Sequence, residues 1–322
     1  MSCGEATTRH GGLRSAVVID AVLPLTRHDA DRARILRISL DKFFSDLGIC
    51  WVVTPNADVS VIAAQFASPR YRVVPESKVV PELSLHRTLG YRIFRRMTRR
   101  QGLAGWYVQQ LIKLAAADLV ETEFYLTLDA DVICTRPVRY GDLVKDGRAI
   151  GERYDHPPRS ENYDRAARIL RLPRSTWAHP VTPSILNRTV VRMMQQHLAG
   201  LISKPLRRFP GAGTWRGHLL LNLPWTEYTL YATFVSGRGL YGRFHFKDDY
   251  YSLFGNSVWD REQFTDWDPA KSFAPQADYY FVVVQSNTGI DPAAVWAKVG
   301  PYLDATAAAV PYNPVPGDHQ VL

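Results

Sequence analysis

The chain has 322 residues, 46% hydrophobic and 22% charged, a balance that suits one large α/β domain or two small ones. No run of 18 apolar residues is present, which excludes a membrane span, and three scattered cysteines (Cys3, Cys50, Cys134) argue against a disulfide framework and for a reducing compartment. Thirty-nine lysines and arginines against 31 aspartates and glutamates give a net charge of +8, compatible with nucleic acid, an anionic membrane or a phosphorylated substrate without choosing among them.

In chain order, residues 1–14 read as a disordered leader, and residues 1–15 lack the apolar core of a signal peptide. Residues 16–23 predict a strand stopped by Pro24. Residues 29–47 have helical periodicity through Ile35, Leu36, Ile38, Leu40 and Phe43-Phe44. Strands follow at 49–53, ending on Thr54-Pro55, and at 71–74, ending on Pro75. A helix over 105–120 precedes the strand that closes on Asp129-Ala130-Asp131. This alternation predicts a mostly parallel sheet with helices on both faces, and ligands of such sheets lie at the carboxyl ends of the strands. Pro24-Leu25-Thr26, Thr54-Pro55, Pro75-Glu76 and Asp129–Asp131 would share that edge.

The second half is less regular. A strand is expected over 148–152, a loop over 180–187 leading into a helix at 188–198, and a hinge or turn at Gly211-Ala212-Gly213. A helix over 225–234 and a late strand over 281–285 follow, and the alanine- and proline-rich tail from 305 reads as loosely held.

The stretch Phe124-Tyr-Leu-Thr-Leu-Asp-Ala-Asp-Val-Ile133 carries two carboxylates at the tip of an apolar strand. Burying adjacent carboxylates is costly, and a divalent cation with hard oxygen ligands, Mg²⁺ or Mn²⁺, removes that cost. In the preceding helix, Val108, Leu111, Ile112, Ala115 and Leu119 form a face for the sheet. Trp106, Gln109, Gln110 and Lys113 align on the other side, where an indole, two amides and an ammonium suit a ligand with hydroxyls and phosphates.

A first strand closing on Pro-Leu-Thr, a Trp-x-x-Gln-Gln-x-x-Lys helix and Tyr-Leu-x-Leu-Asp-Ala-Asp-Val together resemble GT-A glycosyltransferases. More closely, they resemble a bacterial family of that fold assigned to polysaccharide biosynthesis. The resemblance spans roughly residues 16–290 in element order. It implies a single catalytic domain over 15–304, with a nucleotide-sugar half at about 15–135 and an acceptor half at about 136–304. It implies a divalent metal, Mn²⁺ or Mg²⁺, held by Asp131, with metal or donor-ribose contact for Asp129. Pro24, Leu25, Thr26 and Asp29 correspond to a nucleotide-contacting segment, and His245 is the candidate for a late histidine ligand.

Glycosyl transfer to a hydroxyl with inversion needs a general base. Glu227, in Pro-Trp-Thr-Glu-Tyr, is the leading candidate, with Asp248-Asp249 and Asp155 as rivals; Glu227 could instead serve only to complement a helix N-terminus. Thr182, Ser184, Trp225 and Tyr228 are candidates for the acceptor side. The basic stretch 92–100, interleaved with Ile93, Phe94 and Met97, suits an anionic membrane surface and so a lipid-linked acceptor; no nucleic-acid motif accompanies it. The expected function is metal-dependent sugar transfer from a nucleotide-sugar to a glycan or lipid-linked acceptor, in the cytoplasm or on the inner membrane face. A nucleotidyltransferase is disfavoured by the glycine-free loop after the first strand. A non-catalytic binding protein on a transferase-like fold is the remaining alternative.

Overall fold

The computed structural model describes residues 17–97, 103–151, 153–154, 160–179 and 181–303; the expected leader and tail, Asp155 and the end of the basic stretch lie outside them. Among the described residues there are eleven strands: β1 (Ile19–Pro24), β2 (Leu47–Thr54), β3 (Tyr71–Pro75), β4 (Phe124–Thr127), β5 (Val132–Cys134), β6 (Val144–Lys145), β7 (Arg148–Ile150), β8 (Ser184–Asn187), β9 (His245–Phe246), β10 (Ser252–Phe254) and β11 (Tyr279–Val283). The longer helices are α1 (Ala30–Phe43), α2 (Gly105–Ala115), α3 (Glu161–Leu170), α4 (Arg188–Leu201), α5 (Glu227–Gly237) and α6 (Pro292–Leu303).

The central sheet has the order β3-β2-β1-β4-β8, its first four strands parallel and β8 antiparallel to β4. This is the mostly parallel, helix-flanked α/β architecture expected from the alternation. Every residue of β1 and β4 is buried, as continuous apolar strands require when helices cover both faces. Helix α2 packs on β1 with Val108, Leu111, Ile112 and Ala115 inward, while α5 packs against α2, α3 and α4. Helix α1 lies against β5 and α6. A second sheet, β10-β11-β5, and a third, β6-β7-β9, complete the fold.

Five strands were not expected as such: β5, β6, β8, β9 and β10. Residues 184–187 form β8 rather than loop, with Leu126 opposite Ile185 and Tyr125 opposite Leu186. Four residues between a proline-rich turn and a helix are too short for a period to show, and the partner strand supplies the pairing. Helix α5 also starts two residues late, because the Thr226 side chain accepts from the Thr229 N–H and caps it there.

The chain leaves the central sheet at Thr127 and enters the second at Val132, so Asp129-Ala130-Asp131 is the seam between the two. Asp131 is tied across that seam: its carbonyl accepts from Val284 N–H at 3.0 Å and its Oδ2 from Ser286 N–H at 2.8 Å. The parallel strands deliver Pro24, Thr54, Pro75 and Thr127 to one edge, as expected.

Candidate active site

A cavity of about 880 Å³ opens at the carboxyl end of β4. Its polar wall is built from Asp129 and Asp131 at the seam, Gln110 and Lys113 of α2, Thr182 before β8, and Thr226 to Thr229 at the start of α5. Lys113 is the hub. It is 1% exposed, and its Nζ lies 2.8 Å from Asp129 Oδ1, 3.0 Å from Glu227 Oε1 and 2.8 Å from Thr182 Oγ1. An ammonium has three N–H donors, and three acceptors surround this one. The Tyr228 ring lies 5.4 Å away, and its hydroxyl shares hydrogens with Thr182 Oγ1 at 2.6 Å and Thr127 Oγ1 at 2.9 Å. Thr127 in turn donates to the Ser184 carbonyl at 2.9 Å.

Lys113, Glu227 and Asp131 are buried, while Asp129 is partly exposed. Burial works against the Lys113 ammonium, but Asp129, Tyr228 and Glu227 together hold its pKa well above the ordinary value. Burial pushes the Glu227 carboxyl up; Lys113 opposes this and Asp129 adds to it. Asp131 is raised to about 6, first by burial and then by repulsion from Asp129, against the Ser286 N–H that favours its ionised form. Glu227 Oε2 is buried without a hydrogen-bond partner among the described residues, while the Glu227 backbone N–H donates to Gln110 Oε1 at 3.2 Å. The position at the first turn of α5 is therefore only part of what Glu227 does: its carboxylate faces Lys113 and the cavity.

The residues expected at the site divide into two groups. Trp106, Gln110, Lys113, Asp129, Asp131, Thr182, Glu227 and Tyr228 all line the one cavity. Pro24, Leu25, Thr26 and Asp29 lie on the same sheet edge but do not line it; Thr26 donates to Asp29 Oδ2 at 3.0 Å, and Leu25 is core. Gln109 is half-buried outside the cavity, one helical position too far round. Trp225 is not on an acceptor side: it is fully buried, and its indole N–H donates to the Leu219 carbonyl at 2.8 Å. Ser184 is buried in β8 and shares a hydrogen with His179 Nδ1 at 3.2 Å, behind the wall rather than on it. Asp248 pairs with Lys145 at 2.7 Å, and neither it nor Asp249 reaches the cavity.

His245 is not brought to the aspartates. It sits in β9 beside Ala149, fully enclosed, with its Nε2 2.7 Å from the Tyr231 hydroxyl. Burial, with His179 nearby, lowers its pKa to about 3, which marks it as a neutral core histidine. Among the described residues, no three His, Cys, Asp or Glu side chains converge to hold a metal. The two aspartates fit a hard cation in a different way. Mg²⁺-type sites often take one or two carboxylates and complete their shell with water and substrate phosphate. Burial and then repulsion from Asp129 raise Asp131, and a cation held there would relieve the repulsion.

Sequence reasoning missed several wall residues. His179 stacks on Tyr228, with ring centroids 5.5 Å apart and planes 4° apart, and Tyr163 accepts from the His179 backbone N–H at 3.0 Å. Trp259, Phe254 and Gln285 arrive from the second sheet's neighbourhood. None had a local signal, since isolated residues acquire a site only when the two sheets meet. Trp106, Tyr154 and Trp259 are about half exposed and stand on the cavity wall, an unusual use of large aromatics.

The chain belongs to DUF6492, a family of unknown function, whose profile matches residues 16–307. No curated protein sequence matches it. Among solved structures it is similar to mouse xyloside xylosyltransferase 1 in its apo form, at 14% identity, covering 85% of this chain and 100% of that one, with a TM-score of 0.43. It is also similar to the galactosyltransferase LgtC in complex with donor and acceptor sugar analogues, at 10% identity, covering 83% of this chain and 87% of that one, with a TM-score of 0.43.

Proposed function

We propose that this member of DUF6492 is a metal-dependent glycosyltransferase of GT-A type, moving a sugar from a nucleotide-sugar to a hydroxyl of a glycan or lipid-linked acceptor. The observation that carries the reading is the meeting, in one cavity of about 880 Å³, of the Asp129–Asp131 pair with the buried Lys113–Glu227 ion pair. One half of that set suits a diphosphate bridged by a cation, and the other suits removal of a proton.

Asp129 and Asp131 are the residues that would hold Mn²⁺ or Mg²⁺, which supplies positive charge to the departing nucleoside diphosphate. Glu227 accepts the proton of the acceptor hydroxyl as the acceptor oxygen attacks the anomeric carbon. The electrons of the broken sugar–phosphate bond leave with the diphosphate. A carboxyl raised by burial is a better base than a free glutamate. Lys113 positions both sets of carboxylates: it balances Glu227 before the proton moves and remains paired with Asp129 afterwards. Direct attack assisted by one base implies inversion at the anomeric carbon. Trp106, Tyr154 and Trp259 offer apolar ring faces to a sugar.

Calorimetry with UDP-, GDP-, CMP- and dTDP-sugars, with and without Mn²⁺, tests this directly. One donor should bind only with the metal, and Asp131→Ala should abolish that binding and the accompanying donor hydrolysis. Equal binding and hydrolysis in wild type and Asp131→Ala would refute the reading. Absence of any metal-dependent binding would favour the non-catalytic alternative.

A further inference from the structure

We infer that a second surface, built from residues 89–97 and 203–209, docks the protein on anionic membrane lipid. The first segment is a nine-residue helix, Leu89–Met97. Ile93 and Met97, one turn apart, form an apolar stripe that is 49% and 79% exposed. Arg92 and Arg96 form the adjoining exposed stripe. The second segment is the short helix Lys204–Arg207 with its flanks, where Lys204, Arg207, Arg208 and Phe209 are exposed, Phe209 at 50%.

The two segments form one surface. The Tyr91 hydroxyl donates to the Pro210 carbonyl, and the Tyr91 and Phe209 rings stand 6.5 Å apart. His86 Nε2 lies 2.7 Å from the Gly211 carbonyl oxygen, and Leu85 and Leu206 pack on a small core of Tyr91, Ala212 and Leu221. Three of the exposed large apolar side chains, Ile93, Met97 and Phe209, thus stand amid basic ones.

Charge selects the occupant. Residues 89–97 contain three arginines and no acid; residues 203–209 contain a lysine, two arginines and no acid. Those six positive charges make up most of the net charge of +8. A second copy of this face would be repelled. Apolar side chains within a basic field match the interface of an anionic bilayer, where rings and aliphatic chains enter the headgroup region and each cation adds attraction. The surface is separate from the cavity, and the inference does not depend on sugar transfer.

Vesicle co-sedimentation of the full chain tests it. The protein should bind vesicles of about three parts phosphatidylcholine to one part phosphatidylglycerol and leave pure phosphatidylcholine vesicles in the supernatant, with binding lost as salt rises. Each arginine changed to glutamine among Arg92, Arg96, Arg207 and Arg208 should weaken binding about fivefold, the equivalent of ~1 kcal/mol. Ile93→Ser with Phe209→Ser should weaken it with the charge intact, which a purely ionic contact would not show. These side chains are exposed, so unchanged thermal melting is the control for folding. Equal binding to both vesicle types, no binding, or full binding by the variants would overturn the inference. So would binding to single-stranded RNA without binding to anionic vesicles.

Discussion

At the scale of single residues, two buried carboxylates, Asp20 and Glu227, meet opposite environments. Asp20 accepts from the backbone N–H groups of Ile49 and Glu121, both at 2.9 Å, and is consumed by holding strands together. Glu227 has one lysine and an oxygen with no hydrogen-bond partner among the described residues. Removing the lysine should expose that difference. Lys113→Met leaves Glu227 buried without its cation and should cost about 3–5 kcal/mol, lowering the melting temperature by roughly 10 °C. Adding Glu227→Gln should recover most of that loss in differential scanning fluorimetry. Glu227→Gln alone should keep metal-dependent donor binding but reduce turnover by about 10²–10⁴-fold. His245 yields the pH dependence. Its folded pKa of about 3 is below the ordinary 6.5, so the unfolded chain binds the extra proton first. The neutral ring is tolerated at full stability above pH 6.5, and stability falls as pH drops from there toward 3. His245→Phe should flatten that slope in melts taken across the interval.

At the scale of elements, α2 was legible because its 3.6-residue period places one face on β1 and turns another toward the site. The period could not say how far the second face extends, which is why Gln110 reaches the cavity and Gln109 does not. β8 was illegible for the opposite reason: four residues carry no period of their own. Gly211 is another case. It reads as a hinge or turn, and the structure makes it a packed turn: φ is +74°, and a Cβ there would stand 2.8 Å from both Leu85 Cδ2 and Tyr91 Oη. Gly211→Ala should therefore destabilise the chain by about 1–2 kcal/mol and weaken vesicle binding, because the residue joins the two basic segments. A substitution neutral in both melting and sedimentation would show that the segments do not act together.

At the scale of the whole molecule, the cavity takes residues from α2, the β4–β5 seam, α5 and the end of β11, so ligand binding should stabilise all of them together. Calorimetric melting should show one transition, shifted upward as a unit by a nucleoside diphosphate with Mn²⁺, by about 2.7 kcal/mol at a hundredfold excess over Kd. Two transitions, only one of which moves, would mean that the halves fold separately. No helix among the described residues is long and apolar enough to cross a membrane. The α/β alternation, the sheet edge at which the cavity opens and the Asp129–Asp131 pair were determined by sequence alone, because apolar period and carboxylates on a strand are local properties. The Lys113–Glu227 pair, the enclosure of His245 and Trp225, and the union of two distant basic segments were decided by the tertiary structure. Burial and ion pairing depend on which elements meet, and residues 113 and 227 meet only when α5 packs on α2.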